Sequence, residues 1–260
     1  MFQLAYVSGA TSGIGTALAR LLAKKGISLL LTGRDAARLE ALVSELQTLV
    51  PVKSFTADFT QESGRRKAVA EIRKHVPDLV VNNAGFGLYG PAVNYPVEKQ
   101  MEVVQVDASA VFEMTLEAAL ALKGQGKKGV ILNVSSAAAF QVFPYFAAYA
   151  ASKAFVNSVS ESLDFELRDH DIRVLTTCPG QVSTRFSERA SGKSLYFNEG
   201  FLVMDVEEAA EAIYRQIQSG TRLNVFNWKY KVLSFFSRLL PASLSAALVK
   251  RVLSRRASVL

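Results

Sequence analysis

Short, almost continuously apolar runs alternate with longer amphipathic stretches from the N-terminus to about residue 178. The runs predict strands at 2–8, 27–33, 51–57, 78–82, 129–135 and 171–178. Helical spacing predicts helices at about 14–25, 35–49, 61–75, 97–123 and 148–169. Runs such as 27–31 and 79–81 contain no polar alternation except at Ser28, as expected for parallel strands covered on both faces by helices. Repeated strand–helix–strand units of this size point to an α/β fold with a doubly wound parallel sheet in three α/β/α layers. Residues 180–204 form a long polar stretch, a length that in a compact domain often marks a lid or binding loop. Residues 1–220 are read as a single catalytic-type domain, and 221–260 as a helical extension.

The pattern changes in that extension. Phe226, Trp228, Tyr230, Leu233, Phe235, Phe236, Leu239 and Leu240 crowd together before Pro241 breaks the helix. Beyond it Leu244, Ala247, Leu248 and Val252 share one helical stripe, with Lys250, Arg251, Arg255 and Arg256 largely elsewhere. A basic amphipathic helix of this kind either lies on an anionic membrane surface or packs on its own body or a partner subunit.

Charge sharpens the division. The chain of 260 residues carries a formal +7, yet residues 221–260 hold eight Lys and Arg and no Asp or Glu, so the body is near neutral. The basic balance therefore gives no argument for nucleic-acid binding. The single Cys178 forms no internal disulfide, and a reducing, cytoplasmic setting is expected, with the tail as the one place for contact with the inner face of a membrane. No basic leader or cleavage site precedes Ser8-Gly9, and no run of about 18 apolar residues predicts a span. His75, His170 and Cys178 lack metal-ligand spacing, and no metal site is predicted.

Gly9, Gly13 and Gly15, with Ser12 and Ile14 between them, form a turn from the first strand into a helix. Glycines there let the backbone approach a ligand, and the helix N-terminus offers free N–H groups to a pyrophosphate. The second strand ends in Gly33-Arg34-Asp35 rather than in the carboxylate that holds a ribose 2′-hydroxyl. Arg34 suits a 2′-phosphate, favouring NADP(H) over NAD(H), unless it is a solvated loop residue; Asp35 suits a helix cap.

Further motifs follow in order: Asn82-Asn83-Ala84-Gly85 after the fourth strand, Asn133-Val134-Ser135-Ser136 after the fifth, Tyr149-Ala150-Ala151-Ser152-Lys153, and Pro179-Gly180-Gln181-Val182-Ser183-Thr184. Together with the glycine turn they cover about residues 4–185, and the chain resembles the short-chain dehydrogenase/reductase family, a Rossmann-type fold. The Leu-Leu-Pro element of the extension resembles a bacterial branch of it.

The chemistry supports the match. Tyr149 and Lys153 stand four apart on one helix face. A free phenol ionises near about 10, and an adjacent ammonium is expected to lower that value and make Tyr149 a general acid/base. Ser136 would hydrogen-bond the same substrate oxygen. The resemblance implies that Lys153 also holds the nicotinamide ribose. It places Asp58 and the Phe59 backbone at the adenine, Asn83 and Gly85 along the cofactor, and Pro179, Gly180, Val182 and Thr184 near the nicotinamide. Asp58 reads equally as a strand-end turn residue and Asn83 as a turn-stabilising amide.

There are departures from the family pattern. Asp107 stands where the family carries an Asn that helps hold a water in a proton relay. It keeps an acceptor, loses a donor and brings a negative charge near Lys153. Either it serves as a charged partner of Lys153 or the relay is weakened. Ser8 replaces Thr, and Ala139 a common Gly.

Phe140, Val142, Phe143, Tyr145 and Phe146, and in the later loop Phe186, Leu195, Tyr196, Phe197, Phe201 and Leu202, suggest an apolar pocket for a lipophilic carbonyl or alcohol, or else core or interface packing. The expectation is an NADP(H)-dependent carbonyl reductase, in the range of 3-oxoacyl, sphingoid-base or hydroxysteroid substrates. The alternative is an NADP-binding regulator or scaffold without turnover, Asp107 being its lesion. The long helices at 97–123 and 148–169 resemble those that pair subunits in the family, implying a homodimer or homotetramer.

Overall fold

The computed structural model describes residues 2–191, 203–227, 229–232 and 241–257. Seven strands form one parallel sheet in the order β3-β2-β1-β4-β5-β6-β7. They are β1 (Leu4–Ser8), β2 (Ser28–Gly33), β3 (Val52–Thr56), β4 (Leu79–Asn82), β5 (Gly129–Val134), β6 (Ile172–Cys178) and β7 (Leu223–Val225). The first six match the predicted strands. The seventh belongs to the segment read as an extension, so the sheet continues past residue 220.

The apolar runs split by alternation into two cores. Ala5 and Val7, Leu29 and Leu31, and Leu79 and Val81 face one layer, where α1 (Gly13–Lys24), α2 (Ala36–Leu46) and α8 (Val206–Ser219) supply Leu18, Leu22, Leu42, Ile213 and Ile217. Tyr6, Leu30 and Val80 face the other, against Ile72 of α3 (Glu62–His75), Met114 and Leu122 of α5 (Ala110–Gly124) and Leu163 of α6 (Ala147–Leu167). Successive strand side chains point to opposite faces, so a run with no polar position serves both layers.

The predicted helix at 97–123 is interrupted. Helix α4 (Val97–Val104) passes through a π-helical segment, Gln105–Ser109, before α5 begins. Such bulges recur at functional sites, and this one carries Asp107 into the interior, fully buried. The long loop after β6 contains a short helix, α7 (Phe186–Ser191).

After β7 the chain returns to the body. The Tyr230 hydroxyl accepts a hydrogen bond from the Gln181 N–H at 3.2 Å, and its ring lies so close over Gly180 that a Cβ there would collide with it. The last helix, α9 (Ala242–Ala257), buries Ser245 and sets Val249 against Tyr89 and Ala190. Leu244 and Ala247 of the predicted stripe are instead exposed. Trp228, Leu233, Phe235, Phe236, Leu239 and Leu240, and the side chains of Leu248, Val252, Arg255 and Arg256, lie outside the described residues, as do Leu195, Tyr196, Phe197, Phe201 and Leu202. No helix among the described residues is long and apolar enough to cross a membrane.

Candidate active site

The sheet order reverses between β1 and β4, where open α/β sheets hold ligands at the carboxyl ends of the strands. Gly9 there has φ +65° and Gly13 φ +54°, the left-handed region that glycine enters without strain. A Cβ on Gly9 would sit 2.9 Å from the Ala84 backbone, and one on Gly15 would strike the Gly9 carbonyl. The Ser8 hydroxyl accepts from the N–H groups of Asn83 and Ala84, both at 3.0 Å, and the Asn83 amide donates to the Ser8 carbonyl at 2.9 Å. Asn83 is thus the clasp between the glycine turn and the end of β4. Ser12 stands at the N-terminal boundary of α1 in an extended backbone, ahead of Ile14 in its first turn, and Thr184 packs where Gly13 lacks a Cβ.

From this turn a groove of about 350 Å³ runs past Gly9, Thr11, Ser12, Arg34, Asp58, Phe59 and Gly85. Gly33 has a steric reason beyond the missing carboxylate, since a Cβ would lie 2.5 Å from the Thr11 side chain. Asp35 caps α2 by accepting from the Arg38 N–H at 3.1 Å, as expected. Asp58 accepts from the Thr60 N–H and hydroxyl at 3.0 and 2.9 Å, a turn-building role alongside its place on the groove wall. Arg38 and Arg189 also line the groove. Sequence reading missed both. Arg38 is legible one helical turn beyond Arg34, but Arg189 is brought there only by the fold of the loop after β6. The glycine cradle and the cationic wall fit a nicotinamide dinucleotide.

Lys153 and Asp107 stand behind Gly85, where a Cβ would meet both at 3.2 Å. The Lys153 Nζ donates to the Val134 carbonyl at 3.0 Å and lies 3.3 Å from Asp107 Oδ2 and 5.6 Å from the centre of the Tyr149 ring. Asp107 Oδ1 accepts from the Phe86 N–H at 2.9 Å. Burial pushes the Asp107 carboxyl above the usual range, and the Lys153 charge only partly offsets it. Ser136 caps a short 3₁₀ turn, Ala137–Phe140, its hydroxyl accepting from the Ala138 N–H at 3.1 Å. Pro179 accepts from the Ala137 N–H at 2.9 Å, Val182 bridges to Met204, and Gly180 lies under Tyr230.

One expectation is reversed. The Tyr149 phenol is raised, not lowered: burial is the first cause and the Asp107 charge the second, with the nearby Ser136 hydroxyl pulling it partly back. The Lys153 ammonium is turned to Asp107 and the Val134 carbonyl. The burial comes from aromatic rings, with Phe146 at 4.4 Å and Phe186 at 5.3 Å between ring centres. Phe143 and Tyr89 extend this wall, each 6.0 Å from Phe146. Tyr145, at φ +66°, is held in a strained conformation by the Gly90 N–H on its carbonyl at 2.8 Å.

His75 meets Glu71 at 3.3 Å on α3, and Cys178 is buried beside Asn157, its thiol pushed up to about 12 by burial. Among the described residues no group of His, Cys, Asp and Glu is arranged to hold a metal ion.

The profile of the short chain dehydrogenase family matches residues 3–194. The chain belongs to this family. It is an oxidoreductase acting on alcohol and carbonyl groups. An uncharacterized oxidoreductase of Myxococcus xanthus is 31% identical over 254 residues, covering 96% of this chain and 98% of the relative. A very-long-chain 3-oxoacyl-CoA reductase-like protein of Arabidopsis thaliana is 32% identical over 253 residues, covering 92% of this chain and 78% of the relative. A solved short-chain dehydrogenase from Sphingobium yanoikuyae in complex with NADPH superposes with a TM-score of 0.80 at 27% identity, covering 86% of this chain and 87% of that one.

Proposed function

We propose that this dehydrogenase reduces a lipophilic carbonyl compound with NADPH, Tyr149 donating the proton to the nascent alkoxide. The observation that carries the reading is Tyr149, walled by Phe146 and Phe186, with Lys153 5.6 Å from its ring and behind Gly85 on the dinucleotide groove. A phenol held above its usual value carries its proton through neutral pH, the form that can donate to the nascent alkoxide. The Ser136 hydroxyl orients the same oxygen, and Lys153 restores charge balance as the phenol gives up its proton. When bound, the nicotinamide supplies the hydride. Arg34 and Arg38 at the adenosine end favour NADP(H) over NAD(H), because a guanidinium matches a phosphate in charge and in fork geometry. The NADPH complex of the Sphingobium relative supports this choice, and the aromatic wall with the acyl-CoA reductase-like relative supports an apolar substrate.

The test is loss of NADPH absorbance with a panel of long-chain and bulky ketones. Turnover abolished by Tyr149→Phe supports the reading. Tight NADPH binding without turnover on any ketone would replace it with the regulator. We infer also a homodimer or homotetramer, supported by Leu120 on α5 and Phe155 and Phe165 on α6, which are 61%, 44% and 58% exposed. A monomer mass by light scattering would overturn that.

A further inference from the structure

We propose that Arg189 is a specificity-determining residue, a third arm of the site for the cofactor 2′-phosphate, and that this phosphate docks α7 over the substrate pocket. The inference rests on the NADP(H) reading above and extends it to an element that reading does not need. Arg189 reaches back from α7 across the groove and donates to the Ser12 hydroxyl in the glycine turn at 3.2 Å. It shares the groove wall with Arg34 and Arg38, which come from the end of β2 and the start of α2. Among the described residues only Arg38 of the three is paired with a carboxylate, Asp35 at 3.2 Å.

The three guanidiniums repel one another. The Arg189 group is held below its ordinary value, first by burial and then by the charges of Arg38 and Arg34. Like charges gathered around an open groove are relieved by an anion placed between them, and a phosphate monoester is the anion whose charge and acceptor count suit several guanidiniums. A residue of the loop after β6 would then sense whether the ribose is phosphorylated.

Helix α7 carries that signal a short distance. Phe186, one turn before Arg189, packs on the Tyr149 ring at 5.3 Å, and the Ala190 carbonyl accepts from the Tyr89 N–H at 2.8 Å. One face of α7 thus meets the phosphate cradle while its neighbours form the wall of the carbonyl pocket. Seating the phosphate fixes both.

The experiment measures dissociation constants of NADPH, NADH and 2′,5′-ADP by fluorescence titration and calorimetry. It uses the wild-type chain, Arg189→Ala, Arg189→Lys and Arg34→Ala. Hydrogen exchange is followed over 185–191 with 2′,5′-ADP or with ADP. Arg189→Ala is expected to weaken NADPH and 2′,5′-ADP about tenfold and to leave NADH within twofold, with Arg189→Lys in between. In the wild type, 2′,5′-ADP should protect 185–191 and ADP should not, and Arg189→Ala should abolish the difference. Equal loss for NADPH and NADH, or equal protection by the two nucleotides, overturns the proposal. If Arg34→Ala lowers NADPH affinity and Arg189→Ala does not, the Arg189 arm is wrong while the NADP(H) reading stands. If the wild type binds NADH as tightly as NADPH, that reading itself fails.

Discussion

Asp107, in the π-helical segment, and Asp164, on α6, are both fully buried carboxylates, and they are treated in opposite ways. Asp164 Oδ1 accepts from the Arg173 guanidinium at 2.7 Å and the Val174 N–H at 3.0 Å, and Oδ2 from Arg168 at 2.9 Å and Arg173 at 3.2 Å. Burial pushes its carboxyl up, but the bonds from Arg173 and Arg168 outweigh burial and hold it below its usual range. Asp107 has one backbone N–H and, at Oδ2, only the longer approach of Lys153 at 3.3 Å without hydrogen-bond geometry, so burial wins and its carboxyl is raised. A saturated carboxylate ties α6 to β6. An under-satisfied one beside a lysine and a tyrosine leaves charge free to move, as a site needs and a structural joint does not.

Breaking the Asp107 side at its cation has the largest expected effect. Lys153→Met should lower turnover on the order of 10³-fold, within the range for loss of an acid–base group, and destabilise the fold by stranding Asp107. Adding Asp107→Asn should restore the melting temperature but not the activity. A double variant no more stable than Lys153→Met would show that the pair is not coupled.

On the structural side, Asp164→Asn should cost about 3 kcal/mol, lowering the thermal midpoint by about 8 °C. The kcat per folded molecule should stay within about twofold. The folded-state carboxyl is depressed, so its stabilisation is present above the unfolded value of about 3.9 and is lost as pH falls toward the folded one. The gap between wild type and variant should therefore close in melts taken at successively lower pH.

Asp107→Asn sharpens the contrast more gently. Because the folded-state carboxyl is raised, its ionisation opposes folding, so the variant should melt at the same temperature or higher, with the gain growing as pH rises from the unfolded value of about 3.9 toward the folded one and constant beyond it. Removing the charge also lowers the Tyr149 phenol. The pH profile of alcohol oxidation, which needs the phenolate, should move to lower pH and the rate near neutrality rise several-fold. Phe186→Ala should move that profile in the same direction by less, since it admits water to the phenol without touching a charge. A shift to higher pH in either variant would contradict the account of Tyr149.

The apolar runs made the first six strands and their two-sided burial legible, because the sheet repeat is local and recurs from strand to strand. The glycine turn and the spacing of Tyr149 and Lys153 were equally plain, since a tight turn and one helical repeat each act within a few residues. The break of the 97–123 helix was not legible. A π-helical segment differs from an α-helix by one hydrogen-bond step, and nothing in the spacing of Gln105–Ser109 marks it. The effect on Tyr149 was reversed because sequence distance says nothing about dielectric: the rings of Phe146 and Phe186 and the charge of Asp107 decide it.

The sequence by itself thus determined the layered sheet, the ligand-facing turn and the shared helix face of Tyr149 and Lys153, all properties of contacts within a few residues. Only the tertiary structure decided which charges share a low-dielectric space and which loop lies over the groove. It placed Asp107 behind Gly85, Arg189 on the same groove as Arg34, and Tyr230 and Val249 of the tail on the body. These arrangements join residues far apart in the chain, and electrostatic energy depends on separation and burial in space, which no local pattern encodes.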